Sequence, residues 1–444
     1  MIKIKIDNEF LDTKEDLTIP FEFYTNALEF EKLYNSRSFS FSLPKTAKNF
    51  RLLKYENFEE QSVTVELNLI DSFEGTLIKK TSTENEFSVD IQLKLSTFFD
   101  KLSTFNISEL FPSFSESLAE SNLNANVAKL YPDVNFYCPT LIFTTSDFNA
   151  KILNFYNNST YERDFSTKFI HGFFALGFIV QKVVEFCGYY VVKNCFIDDS
   201  FLKRLFLIHI YSNSPSAYEQ TFVNGLPSMP AIDFIKSIIK IFGIRFDFNN
   251  GNAAISLMNK LYQPSNSSIV NLTDIKTNTV LTPYKSVKYS NLWSNISYEI
   301  NYNFPRGENE LLLQFDYQIY KNIDYVSEMN KSVMFADSIL DFPLKLGIYK
   351  YVDAYPTALY SDDKSLDFDA NNIFYSYILK SIMMRNTFLK KIQCTIHFNA
   401  AFLFELYKIN SFYFENQLYL IEKISGNLTG KEIQTMSLNA YLIE

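Results

Sequence analysis

Over roughly the first hundred residues, apolar side chains fall on every second position, the period of strands with one buried face. Ile2, Ile4 and Ile6 share a face, as do Phe39, Phe41 and Leu43. Val63, Val65, Leu67 and Leu69 form the next run, followed by Phe87, Val89, Ile91, Leu93 and Leu95. Between the last two, Asp71-Ser72-Phe73-Glu74-Gly75 has the composition of a turn. The pattern predicts an antiparallel β domain.

From about Leu102 to Tyr161 the alternation fades into Ser and Asn clusters with isolated prolines, which predicts short or irregular elements. The period then becomes helical. Phe173, Leu176, Val180, Val183, Val184 and Cys187 line one face, with Gly188 placed to end the helix and a strand expected over Tyr189 to Val192. A second helix carries Ile235, Ile238, Ile239 and Phe242 between Pro230 and Gly243. Ile244, Phe246 and Phe248 then lead through Asn249-Asn250-Gly251 into Ile255 and Leu257, the signature of a hairpin.

Strand-like patterning returns after about Thr282, through Tyr298 to Tyr302 and Leu311 to Tyr320. It is strongest in the final stretch. Cys394, Ile396 and Phe398 alternate, then Phe412 and Phe414, Leu418 and Leu420, and Met436, Leu438, Ala440 and Leu442. Glu415-Asn416-Gln417 turns between the second and third of these runs. No repeat of fixed period is visible.

A chain of 444 residues exceeds what one core usually serves, so several domains are expected. The reading divides it into a first β domain over 1–104, an α+β middle over 105–275 with helices near 169–187 and 231–242, and a second β domain over 276–444. Phe (45) and Tyr (29) are abundant against 1 Trp and 11 Gly. Aromatic rings suit pleated, half-buried surfaces, and an AT-rich genome would enrich the same residues. Scarce glycine leaves little material for phosphate-cradling loops.

The formal net charge of -9 disfavours broad adhesion to nucleic acid, which needs clustered Lys and Arg. The N-terminal Met1-Ile2-Lys3-Ile4-Lys5-Ile6 alternates, so no secretory signal is expected there. Phe169 to Val180, interrupted by His171 and followed by Lys182, falls short of the roughly 18 to 20 residues of a membrane span. Cys138, Cys187, Cys195 and Cys394 show neither CxxC nor zinc-ligand spacing and read as buried free thiols.

Candidate chemistry is sparse. His171, His209 and His397 each stand alone in sequence, and general-base or ligand work needs partners. HExxH, GxSxG, GxGxxG and GxxxxGK[ST] are absent, which removes support for the enzymes they mark. The acidic loop Asp362 to Asp369 is the one cluster to weigh. Asp367, Asp369 and Asn371 match the opening of a calcium loop, but Asn372 and Ile378 stand where such a loop needs Gly and Glu. A solvated acidic loop, a metal site and a pair of catalytic carboxylates are the readings it leaves. With Trp293 alone, a glycan platform of exposed indoles is disfavoured, and the phenylalanines fall at core-facing positions.

Four segments, taken in order, resemble one family. The first is Ser38-Phe39-Ser40-Phe41-Ser42-Leu43-Pro44-Lys45-Thr46-Ala47-Lys48-Asn49, an aromatic strand, Leu-Pro and a Thr-x-x-Asn step. The second runs from Val184-Glu185-Phe186-Cys187-Gly188-Tyr189 through Asp198-Asp199-Ser200-Phe201 to Tyr211-Ser212-Asn213. Leu226-Pro227-Ser228-Met229-Pro230, continuing to Phe242-Gly243, is the third, and Glu415 to Ile424 the fourth. Together they are similar to the baseplate or tail-tip hub proteins of tailed bacteriophages, especially those from phages of Bacteroidota. Leu102 to Tyr161 and Thr282 to Asn386 carry little of the resemblance.

What the resemblance implies is a homotrimeric hub. Its fold would be α+β and β-rich, two tube-like antiparallel β-barrel domains flanking an α+β middle, with domains discontinuous in sequence. Its expected partners are the tail tube or distal tail protein, a tape-measure protein and a central spike or fibre, with DNA passing through the lumen unbound. The expected location is the virion tail, after assembly in the host cytoplasm. No catalytic residue, cofactor or metal is expected, with Asp367, Asp369 and Asn371 the only metal candidates. Two rivals belong to other classes, a phage-borne glycan or cell-wall hydrolase and a receptor- or glycan-binding module.

Overall fold

The computed structural model describes residues 2–7, 9–24, 37–38, 40–53, 60–67, 71–144, 150–154, 156–157, 159–162, 168–207, 219–249, 251–257, 270–271, 275–280, 295–303, 310–317, 346–352, 355–359, 391–398, 411–414, 417–429 and 434–442. The chain opens with strands β1 (Ile2–Ile6), β2 (Glu9–Phe10), β3 (Ile19–Tyr24), β4 (Arg37–Ser38) and β5 (Phe41–Pro44). Helix α1 (Ala47–Leu52) follows, then β6 (Glu60–Leu67), β7 (Asp71–Ser82) and β8 (Glu86–Leu93). The period-two faces are buried as expected: Ile4, Val65, Leu43, Phe87 and Val89 are all closed to solvent.

Two local expectations are corrected. Asp71 to Gly75 is not a turn but the start of β7, whose residues pair with β6 and then β8. Gly75 serves close approach instead, because a Cβ there would lie 2.7 Å from both the Gln92 carbonyl oxygen and the Ile91 side chain. Leu95 belongs not to a strand but to helix α2 (Lys94–Leu102), which begins directly after β8 and carries Phe98 and Phe99 into the middle core. Alternation of apolar residues persists for one step into such a helix, so period alone does not mark the junction.

The middle region has α3 (Glu120–Asn126), whose Leu123 packs in a small cluster with Leu118, Cys138, Tyr156, Tyr161 and Ile170, and α4 (Leu176–Phe186) and α5 (Ala231–Phe242), which pack with short strands around a larger aromatic core. Phe173 belongs to a two-residue strand before α4 rather than to the helix. Gly188 after α4 has φ +87°, and Gly243 caps α5 in the left-handed region at φ +59°, where a Cβ would be strained. The hairpin follows as expected, Ile244–Asn249 pairing with Asn252–Leu257, and Tyr190–Asn194 joins it in parallel through the second strand.

Further along lie β9 (Val270–Asn271), β10 (Ile275–Val280), the hairpin Asn295–Asn303 with Glu310–Tyr317, and the pair Leu346–Val352 with Tyr355–Leu359. The closing strands are β11 (Lys391–Phe398), β12 (Ser411–Phe414), β13 (Gln417–Leu428) and β14 (Gln434–Leu442). Strands from both regions form one 14-stranded curled sheet, eleven of them in the order β2-β1-β6-β7-β8-β4-β3-β13-β14-β11-β10, with β5 attached to β8, β12 to β13 and β9 to β12. The chain is therefore a β-rich α+β protein with few helices.

The seam of that sheet is β3 against β13, from Ile19↔Leu428 to Tyr24↔Lys423. It shares one core across distant parts of the chain. Phe21 and Phe23 of β3 lie with Ile421, Ile424 and Leu438, and with Ile4 and Val65, in a single apolar cluster. Each large side chain so enclosed contributes about 1.5–3 kcal/mol. Outside the core, the Lys423 ammonium bonds the Glu22 carboxylate across the seam and lies over the Tyr24 ring.

Candidate functional site

Two features stand out: the margins of the large sheet, and a cavity in the middle region. All neighbouring pairs along the sheet path are antiparallel. At one margin β2 covers only Lys5 and Ile6 of β1, and Leu11 donates its backbone N–H to the Ile4 carbonyl, 2.7 Å away. That bond fixes the orientation of β1: its even-numbered residues turn their backbone groups outward, and since Ile4 meets Leu11 and Ile6 pairs with Glu9, the start of β1 at Ile2 is the part left uncovered. At the other margin β10 pairs along its whole length with β11, from Ile275↔Ile396 to Val280↔Lys391. Among the described residues no strand pairs with its outer side.

The motifs that carried the family resemblance do structural work. Thr46 caps α1, its Oγ1 accepting from the Asn49 N–H at 3.1 Å and donating to Asp12 Oδ2 at 2.6 Å. Asn49 is fully buried; its side chain accepts from the Asp12 N–H and donates to the Asp12 and Pro44 carbonyls at 2.8–2.9 Å. The Thr-x-x-Asn step thus staples the loop after β2 to the end of β5. Similarly, Asp199 Oδ1 accepts from the N–H groups of Phe201 and Leu202 at 2.9 and 3.0 Å, and Lys101 Nζ donates to the Cys187 carbonyl at 3.0 Å where α4 ends. Tyr211-Ser212-Asn213 lies outside the described residues.

Asp362 to Asp369 and Asn371 likewise lie outside the described residues, as does His209. His397 is on β11. His171 is buried with its ring 4.9 Å from that of Phe173, while its backbone N–H and carbonyl bond the buried Asn154 side chain at 2.7 and 2.9 Å. Among the described residues no group of His, Cys, Asp and Glu is arranged to hold a metal ion. No helix is long and apolar enough to cross a membrane, again among the described residues.

None of the four cysteines forms a disulfide, and all four are buried. Burial pushes the Cys187 and Cys394 thiols from 9.0 up to about 12. A thiol kept protonated is a poor nucleophile, so native protein at pH 8 is expected to show almost no reaction with a thiol-specific chromophore, and unfolded protein four equivalents per chain. As pH rises the unfolded chain releases these protons first. The stability their neutral burial confers is complete below pH 9, and is lost on passing from 9 toward 12. A pH series of denaturation midpoints checks the sign.

The sequence reading missed the cavity. It has a volume of about 290 Å³ and lies between α3, the strand Glu116–Ser117 and the strand Phe136–Tyr137. Its floor includes Tyr137 stacked on Tyr349, with centroids 4.4 Å apart and planes 6° from parallel. Burial holds the phenols of Tyr161 and Tyr349 well above the ordinary value, so the floor is uncharged. The only available signal was the density of Asn in a weakly patterned stretch.

No family model matches the chain, and no curated protein does either. Solved structures align along most of its length, at low similarity. The tail protein from Neisseria meningitidis MC58 aligns with 99% of this chain and 95% of its own at 8% identity and a TM-score of 0.32. The E. coli c3393 protein, a type VI secretion component described as similar to the T4 bacteriophage tail proteins gp27 and gp5, aligns over 99% and 77% at 8% identity and a TM-score of 0.30. A Francisella PdpA-VgrG complex gives 100% of this chain, 58% of the other, 9% identity and 0.34. The structural neighbours are phage-tail and secretion-spike proteins, distant in both sequence and superposition.

Proposed function

We propose that the chain is a structural hub at the distal end of a tailed-phage particle, of the type found in phages of Bacteroidota, and does no catalysis. Three copies close into a ring that meets the hexameric tail tube on one face. The other face holds the central spike or fibre, the tape-measure protein ends inside, and DNA passes along the axis.

The observation that carries this reading is the direction of the marginal strands. An odd number of antiparallel steps separates β1 from β10, so the two run in opposite directions. Rotation about a ring axis preserves those directions. Setting β10 of one copy beside the uncovered start of β1 in the next therefore continues the alternation, and a head-to-tail ring closes without any strand reversing. Closure removes the exposed edges that invite aggregation of a lone sheet. In this reading each copy brings two tube-like units, discontinuous in sequence and joined at β3–β13, which makes the ring quasi-sixfold. Contacts of a permanent ring should bury on the order of 2,000 Å² each.

The net charge of -9 fits a conduit whose wall repels phosphate. Light scattering is expected to return three times the subunit mass, and electron microscopy of the particle to place three copies around the tail axis. A single copy in the particle, or copies radiating at its periphery, would refute the proposal. So would activity on peptidoglycan or capsule that disappears in Asp367→Ala, which is the hydrolase rival's signature.

A further inference from the structure

The cavity beside α3 is built in layers. Ser117, Asn122 and Asp133 are exposed at its mouth, Glu116, Asn126 and Asn135 are half-buried on its walls, and its floor is aromatic. The walls are held in place from behind. Asn135 donates its side-chain N–H to Glu116 and accepts at its backbone carbonyl from the Ala175 N–H at 2.9 Å. The Tyr349 hydroxyl donates to the Val127 carbonyl, and Asn124 Oδ1 accepts from the Tyr161 N–H at 2.9 Å. Binding there would require little ordering of the protein.

The lining limits what fits. It has no Lys, Arg or His, so an anion is unmatched, and its polar groups leave an apolar ligand unmatched. A cation is weakly called for. Glu116 already accepts from Asn135, Asp133 stands in water at the mouth, and Asn126 Oδ1 already accepts from the Lys129 ammonium at 2.9 Å. What remains is the amide and hydroxyl capacity that those bonds leave over, on Asn122, Asn126, Asn135 and Ser117, beside two carboxylates and an aromatic floor. Hydroxyl groups on a small ring need that combination, because each must donate and accept while the ring's C–H face packs on an aromatic wall such as half-buried Phe136.

We propose that this cavity binds a single neutral saccharide unit. The proposal is separate from the ring: the cavity lies among α3 and the short strands near it, and the marginal strands take no part in its lining. Full-length protein would be tested by saturation-transfer NMR against glucose, galactose, mannose, rhamnose and N-acetylglucosamine, with N-acetyl-arginine amide as the cationic comparison. At least one sugar is expected to bind with a Kd of roughly 1 mM, as suits a ligand of that size in one pocket. Asn122→Ala, at the exposed mouth, and Asn126→Ala should each weaken it at least tenfold, while the circular-dichroism spectrum and the oligomeric mass stay unchanged. The proposal fails if no sugar of the panel binds, if only the arginine derivative binds, or if sugar binding survives both substitutions.

Discussion

Replacing Phe174 by alanine is expected to lower the stability of the middle region by about 3–5 kcal/mol, the range for deleting a buried aromatic ring from a packed core. The side chain is closed to solvent and sits among four other rings: Phe222 at 5.0 Å between centroids, Phe178 at 5.8 Å, Phe114 at 6.0 Å and Phe136 at 6.5 Å. Little can collapse into the space left behind. Gly225 approaches so closely that a Cβ there would lie 2.7 Å from the Phe174 ring, and the backbone on that side is pinned by bonds from Gly225 to Thr221 and from Leu226 to Phe222. Phe186 supplies the comparison. It is 41% exposed at the end of α4, touching only the rim rings Phe105 and Phe111 among the ring pairs described. Phe186→Ala should cost under about 1 kcal/mol, so the two urea midpoints, read from near-ultraviolet circular dichroism, must separate clearly. Equal midpoints would mean that the aromatic cluster is not a tightly packed core.

That cluster also explains why some of the fold could be read from the chain and some could not. Period-two faces such as Ile2, Ile4 and Ile6 needed only local information, because one buried face imposes alternation wherever the strand happens to pair. The α5 helix and its hairpin were equally legible, since Gly243 and Gly251 both occupy positive φ and so punctuate the chain where the backbone requires it. Phe173 and Leu95 were misplaced for a shared reason. Each is an apolar residue at the junction of a strand and a helix, where both periods predict burial and neither locates the boundary.

Strand partnership is a different kind of information. Nothing in Ile19–Tyr24 announces that its neighbour is Ser425 or Gly426, because the pairing is decided by which faces can be closed together once both regions have formed. The cavity was illegible for a related reason: Glu116, Asn126 and Asn135 look like loop residues one at a time, and become a wall only when α3 and the strand at Phe136 meet. The acidic loop advertised itself because its residues are contiguous. Contiguity is what sequence reading detects best, whereas the cavity wall is assembled from separate elements.

The seam therefore gives the second large effect. Ile424→Asp would place a carboxylate at a position closed to solvent, opposite Phe23 on β3 and Leu438 on β14. An unpaired buried charge of this kind is expected to cost more than about 4 kcal/mol. The consequence should not stay local. Ile424 shares its apolar cluster with Ile4 and Val65 as well as with Met436 and Ala440, whereas α4 and α5 belong to a separate cluster. Amide hydrogen exchange in the variant should therefore rise together in Ile2–Ile6, Glu60–Leu67 and Gln434–Leu442, while Leu176–Phe186 and Ala231–Phe242 keep their protection. If only the strands after Lys391 lose protection, β3 and β13 join two cores that fold independently. Loss in all three segments would instead mean that β1, β6 and β14 rest on one cooperative unit, held together through the β3–β13 seam.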